Sequence, residues 1–144
     1  MALVAALAGW HAWSRGGAHA LAWRDVAAEV GPWQFTHTTG RAYRSRAALV
    51  EYLEIAWPGH HPRLPPIDFR REEAVLVAVG PRSGSGYDLR VVRVADERGR
   101  VEILLREHTP TLANPGRPGV TYPYRLIVFR HSDKHVTVRF LGRP

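Results

Sequence analysis

The segment "EAVLVAVG", Glu73 to Gly80, is almost continuously apolar, the pattern of a central β-strand. Four shorter runs follow it, "YDLRVVRV", "RVEILLRE", "YRLIVFR" and "HVTVRFL", each with partial alternation of apolar and polar positions. In the second of these Val101, Ile103 and Leu105 face one way, and in the last Val136, Val138 and Phe140 do. Glu97-Arg98-Gly99 and Ser132-Asp133-Lys134 have the residues and length of hairpin turns. Upstream, "SRAALVEYLEIAWPG" has a helical period instead: Leu49, Tyr52, Leu53, Ala56 and Trp57 form one stripe, Ser45 is placed to cap the first turn, and Pro58-Gly59 ends the helix. "GPWQFTHTTGRAYR" reads as two short strands around a turn at Thr39-Gly40, and the three prolines of "HHPRLPPIDF" mark an irregular crossing segment. Together these elements predict an α+β fold of mainly antiparallel β-sheet, sandwich-like or curled, with one N-terminal amphipathic helix.

The first thirteen residues, "MALVAALAGWHAW", are too few to span a bilayer but match the apolar region of a signal peptide, and Ala18-His19-Ala20 supplies a small-x-small cleavage pattern. Residues 1–20 are therefore expected to be a signal peptide and 21–144 a single domain, strand-rich over 67–144. This places the protein outside the cell or in its envelope with no stable membrane anchor after cleavage; the alternative is an N-terminal helix of a cytoplasmic protein. The n-region carries no Lys or Arg, a departure from the usual signal pattern.

Between two predicted strands lies "GPRSGSGYD", whose glycines invite three chemistries. A phosphate loop needs a helix after it, so that amides and dipole face the anion, but here a strand follows. A nucleophile elbow needs the same strand-to-helix turn, and Ser85 has glycines as immediate neighbours instead of two positions away. A triad of Ser85, Asp88 and His108 can be assembled on paper, which keeps a small serine-dependent hydrolase as an alternative. The remaining reading is a recognition loop with permissive glycines and solvent-tolerant serines. "NPGRPGVTYPY" is a second such loop, in which prolines and tyrosines offer contact area at low entropic cost.

Composition changes this picture little. The chain has 144 residues, no cysteine and a net charge of +7, which excludes disulfides and thiolate chemistry and leaves ordinary globular character. Residues 74–144 hold twelve cations against six acids, but these are spaced singly and not interleaved with aromatic residues. A basic nucleic-acid module is accordingly an alternative, and no nucleic-acid partner is expected. His131 and His135 have the spacing of a metal pair across a hairpin, with His108 as a third candidate, yet solvent-exposed turn histidines fit better; no metal or cofactor is expected.

Asp68-Phe69, Gly80, the loop Arg82-Ser83-Gly84-Ser85-Gly86-Tyr87 and the later Pro123-Tyr124 resemble the C-terminal domain of the protease complex subunit PrcB family, with likeness over about residues 42–144. Pro81 precedes the arginine where the family pattern has it following, and Ser85 stands where glycine is usual. The resemblance implies a small exported bacterial domain without catalytic residues. The same loop is similar, over a few residues, to that of chagasin-type inhibitors of cysteine proteases, but the companion Arg-Pro-Trp motif of those inhibitors is lacking, Gly116-Arg117-Pro118 being followed by Gly119. The sequence thus predicts a non-enzymatic domain that binds another protein, associating with or modulating a protease. Arg82, Ser83, Gly84, Ser85, Gly86 and Tyr87 from the first loop and Asn114, Arg117 and Tyr122 from the second are the candidate contact residues, expected at one end of the sheet.

Overall fold

The computed structural model describes residues 17–142; the apolar run of the expected signal peptide lies outside them. In chain order the elements are β1 (His19–Ala20), β2 (Trp23–Asp25), α1 (Ala27–Val30), β3 (Thr38–Tyr43), α2 (Arg46–Ala56) and β4 (Glu72–Val79). They continue with β5 (Arg82–Gly84), β6 (Asp88–Glu97), β7 (Arg100–His108), β8 (Pro118–Thr121), β9 (Tyr124–Arg130) and β10 (His135–Leu141). A central sheet has the order β2-β9-β4-β3, an outer sheet the order β1-β6-β7-β10, and β5 with β8 makes a separate two-stranded ribbon. Among the described residues no helix is long and apolar enough to cross a membrane.

The continuous apolar run of β4 follows from its burial on both faces. Val75, Val77 and Val79, with Ile127 and Phe129 of β9, pack against Leu89, Val94, Val101, Ile103 and Leu105 of the outer sheet. Ala74, Leu76 and Ala78, with Leu126 and Val128, face the other way onto Trp33, Phe35 and the α2 residues Leu49 and Leu53. The molecule is therefore layered as outer sheet, central sheet and helices. Ser45 caps α2 by accepting from the Ala48 amide at 3.2 Å, and Trp33 Nε1 donates to the Leu53 carbonyl at 2.9 Å, tying the helix to the preceding segment.

Three expectations are corrected. The fold has no helix N-terminal to its strands among the described residues: β1 and β2 come first, the four-residue α1 follows, and α2 is internal, between β3 and β4. Thr39-Gly40 is not a turn but lies within β3, paired along its whole length with β4 from Thr38↔Val79 to Tyr43↔Ala74. Ser132-Asp133-Lys134 is not a hairpin turn either, because β10 leaves the central sheet and pairs parallel with β7. The reason is edge occupancy. β9 is already flanked by β4 on one side and by β2 on the other, so the next strand must find another edge. Crossing to β7 also lets Val136, Val138 and Phe140 pack on the inter-sheet core. Buried Glu73 holds the crossover: Arg44 Nε approaches its carboxylate at 3.4 Å and the Ser132 amide donates to it at 3.4 Å. His131 thus follows β9 beside Glu73, whereas His135 opens β10 opposite Arg100, and the two do not face each other across a hairpin.

The N-terminal segment joins the two sheets at one side. His19 and Ala20 pair with Asp96 and Ala95 of the outer sheet, and Trp23 to Asp25 pair with Phe129 to Ile127 of the central one. Cleavage after Ala20 would take β1 away and leave Leu21, whose amide donates to the Val94 carbonyl at 3.0 Å. At the opposite side β10 passes close over β3. A Cβ at Gly40 would lie 3.0–3.2 Å from the Val138 side chain, so the missing side chain is what allows the approach. Gly40→Ala is expected to lower stability by about 1 kcal/mol through this overpacking; an unchanged urea midpoint would show that β10 shifts without cost.

Candidate functional site

The two glycine-rich loops meet. β5 and β8 pair antiparallel, with Arg82 opposite Thr121 and Gly84 opposite Pro118. Within the ribbon Thr121 Oγ1 donates to the Gly84 carbonyl at 2.7 Å, and just beyond it the Ser85 amide donates to the Arg117 carbonyl at 2.9 Å and the Arg117 amide donates to Ser85 Oγ at 2.8 Å. Strand order explains the meeting. The chain leaves the central sheet after β4, runs out along β6 and back along β7, and so returns to the end where it started before re-entering as β9. The glycines permit the closeness: Gly116, at φ +72°, would place a Cβ only 1.9 Å from the Ser85 carbonyl oxygen.

The side chains then divide into braces and presented groups. Arg82 turns inward: its Nε and Nη2 bond Glu107 at 2.5 and 3.0 Å and its Nη1 donates to the Val79 carbonyl at 2.8 Å. The paired carboxylate raises the Arg82 pKa further above its ordinary value, so the guanidinium stays charged and seated. Ser83, Ser85, Gly86, Asn114 and Arg117 are exposed, Gly84 is buried, and Tyr87 and Tyr122 are half-buried. Between β7 and β8 the chain closes a tight turn in which the Thr111 amide donates to the Asn114 carbonyl at 3.1 Å and the Asn114 amide returns a bond to the Thr111 carbonyl at 3.0 Å. The turn holds Leu112 at its tip, 103% exposed, and Val120 on β8 is 66% exposed. An arm braced at its base therefore carries two large apolar side chains into solvent.

At the foot of the arm an open cleft of about 410 Å³ is lined by Tyr87, Asp88 and Tyr122 with Ala28, Gly31 and Pro32 of the α1 region. Its floor is fixed by Arg125, which donates to the Leu89 carbonyl and to Asp88 Oδ1, each at 2.5 Å. Of Ser85, Asp88 and His108, the Ser85 hydroxyl accepts from the Arg117 amide, Asp88 accepts from Arg125, and Asp88 and His108 are register partners. Among the described residues no group of three or more His, Asp or Glu side chains is arranged to hold a metal ion.

Glu107, Thr121, Leu112 and Val120 were not singled out by the sequence. Glu107 sits in an alternating strand like any surface acid, and Leu112 is a lone apolar residue among prolines; only the pairing of β5 with β8 gives either a role.

Neither a curated protein nor a solved structure matches the chain. A family model does match, over a narrower span than the resemblance seen in the sequence: it begins in β4, ends with β9, and includes both loops and every candidate contact residue. Over residues 74–130 this chain matches the PrcB C-terminal family, the one its Arg82–Tyr87 loop and Pro123-Tyr124 resemble.

Proposed function

We propose that the protein is an exported domain, without catalysis of its own, that binds another protein through the arm and the adjoining cleft and thereby associates with or modulates a protease. The observation that carries the reading is the pair Leu112 and Val120, both exposed on a braced arm whose foot adjoins a cleft lined by two tyrosines. Large apolar groups ringed by polar ones suit a contact surface, and tyrosines at its foot supply rigid anchors. The match to the PrcB C-terminal family supports association with a protease complex, and the small-x-small site at Ala18-His19-Ala20 supports export.

A photo-crosslinking side chain at position 112, expressed in the native host, tests the contact. The expected product joins the domain to a protease or a subunit of a protease complex. A control probe at Ile55, equally apolar and 68% exposed on α2, should give none. Equal products from both positions would remove the arm from the reading. Leu112→Ser with Val120→Ser should weaken the isolated complex about tenfold or more while leaving the melting temperature unchanged. N-terminal sequencing of the host's product checks export: Leu21 is the expected first residue, and a chain still beginning at Met1 would argue for the cytoplasm.

A further inference from the structure

The outer sheet has one face in the core and one in solvent. Leu89, Val91 and Val94 of β6, Val101, Ile103 and Leu105 of β7, and Val136, Val138 and Phe140 of β10 point inward. Alternation, with a bulge between Val91 and Arg93, therefore sends Arg90, Arg93, Arg106 and Arg139 outward together. Cations spaced singly in the sequence become one field. In register, Arg90 stands directly opposite Arg106, and the next row reads Arg93, Leu104, Arg139.

Two of these four charges are balanced from within and two are not. Glu102, 1% exposed, lies under Arg93 and Arg139 and bonds both. Glu97 is bonded by Arg93 at 3.1 Å, and Asp88 by Arg125 at 2.5 Å. Arg90 and Arg106 are both exposed and have no ion-pair partner among the described residues. Like charges directly opposite on neighbouring strands are destabilising. The pair stands beside apolar ground, since Val92 is 48% exposed and Leu104 half-buried.

We propose that this face binds an extended acidic protein segment with carboxylates at alternate positions. Successive outward rows of a strand lie about 6.5–7 Å apart, and alternate side chains of an extended peptide share that spacing. One carboxylate would then meet Arg90 and Arg106, and the next side chain would lie over Leu104 between Arg93 and Arg139, whose guanidinium groups are already bonded to Glu97 and Glu102. A single-stranded nucleic acid fits less well, because the face carries no Phe, Tyr or Trp for bases to stack on and is bordered by Glu97 and Asp88. This surface is distinct from the arm, and its test does not depend on the arm's partner.

The probe is a fluorescein-labelled peptide of about eight residues alternating Glu and Thr, titrated with the full chain at about 20 mM and about 150 mM salt. Saturable binding, weakened by salt, is expected. Arg90→Gln with Arg106→Gln should weaken it about tenfold or more, whereas Arg63→Gln with Arg70→Gln, two exposed arginines outside the outer sheet, should change it less than about twofold. The first double variant should melt at or above the wild-type temperature, since it relieves repulsion; a lower melting temperature would overturn that premise. Absence of binding at low salt, equal loss in both double variants, or equal affinity for a block peptide of the same composition would overturn the proposal. So would equal or tighter binding of an oligothymidylate of matching charge.

Discussion

Gly116→Val will open the β5–β8 ribbon while leaving the two sheets folded. The Cβ that valine adds cannot coexist with the Ser85 carbonyl oxygen at 1.9 Å, and the obstacle is backbone, which has no rotamer to escape into. Position 116 also lies at φ +72°, a left-handed conformation that costs a β-branched residue about 1–2 kcal/mol. Opening forfeits the bonds between Ser85 and Arg117 in both directions and that from Thr121 to Gly84, each worth about 0.5–1.5 kcal/mol net. The lost bonds cost about 1.5–4.5 kcal/mol in all, less than holding a Cβ against the backbone oxygen at a strained φ, so the ribbon opens. Amide exchange at Ser85 and Arg117 should accelerate by orders of magnitude and protease cutting should move to residues 109–119, while amides of β4, β7 and β9 stay protected. Unchanged protection at Ser85 would mean that the loops separate without strain. If the arm is the contact surface, this one substitution also abolishes the complex, although Leu112 and Val120 are untouched.

The meeting of these loops was legible in the sequence, because two intervening strands return the chain to its starting end whichever sheet they occupy. What each loop residue does was not. Arg82 looks like a contact residue in a glycine-serine loop; its role as a brace depends on Glu107, twenty-five positions away and visible only once β7 lies beside it. The strand character of 73–80 and the capped helix after Ser45 rest on local pattern and needed nothing else. The fate of β10 could not be read locally. A short polar turn after "YRLIVFR" suggests a hairpin, and only the prior claim on both edges of β9, by β4 and by the distant β2, sends the strand to β7. Gly40 misleads for a related reason: it looks like a turn residue, while its function is to make room for Val138. The arginine field is the same lesson in charge. Arg90, Arg93, Arg106 and Arg139 are unremarkable along the chain, and a register with one bulge gathers them.

That field has a carboxylate beneath it, and Glu102 is where pH should act on the outer sheet. Arg139 Nη1 donates to Oε1 at 2.8 Å and Arg93 bonds the other oxygen, so hydrogen bonding from Arg139 first, then Arg93, holds the Glu102 carboxyl below the usual carboxylate range despite burial. A carboxyl whose folded pKa is depressed contributes stability above its unfolded pKa and loses it as pH falls through the folded one. The contribution is therefore full near neutrality and disappears in the acid range below about pH 4.5. Removing one partner of a fully buried pair costs about 3–5 kcal/mol, but the Arg93 and Arg139 side chains are 41% and 59% exposed and can turn to water. For Glu102→Gln about 1–3 kcal/mol at pH 7 is the discounted expectation. Urea unfolding of both proteins from pH 7 to pH 3 should show the gap closing as the wild type loses its advantage. Glu72, whose carboxyl is depressed by Arg24 in the same direction, remains in both proteins and cancels from the difference. A gap that stays constant with pH would assign the effect to packing instead of charge.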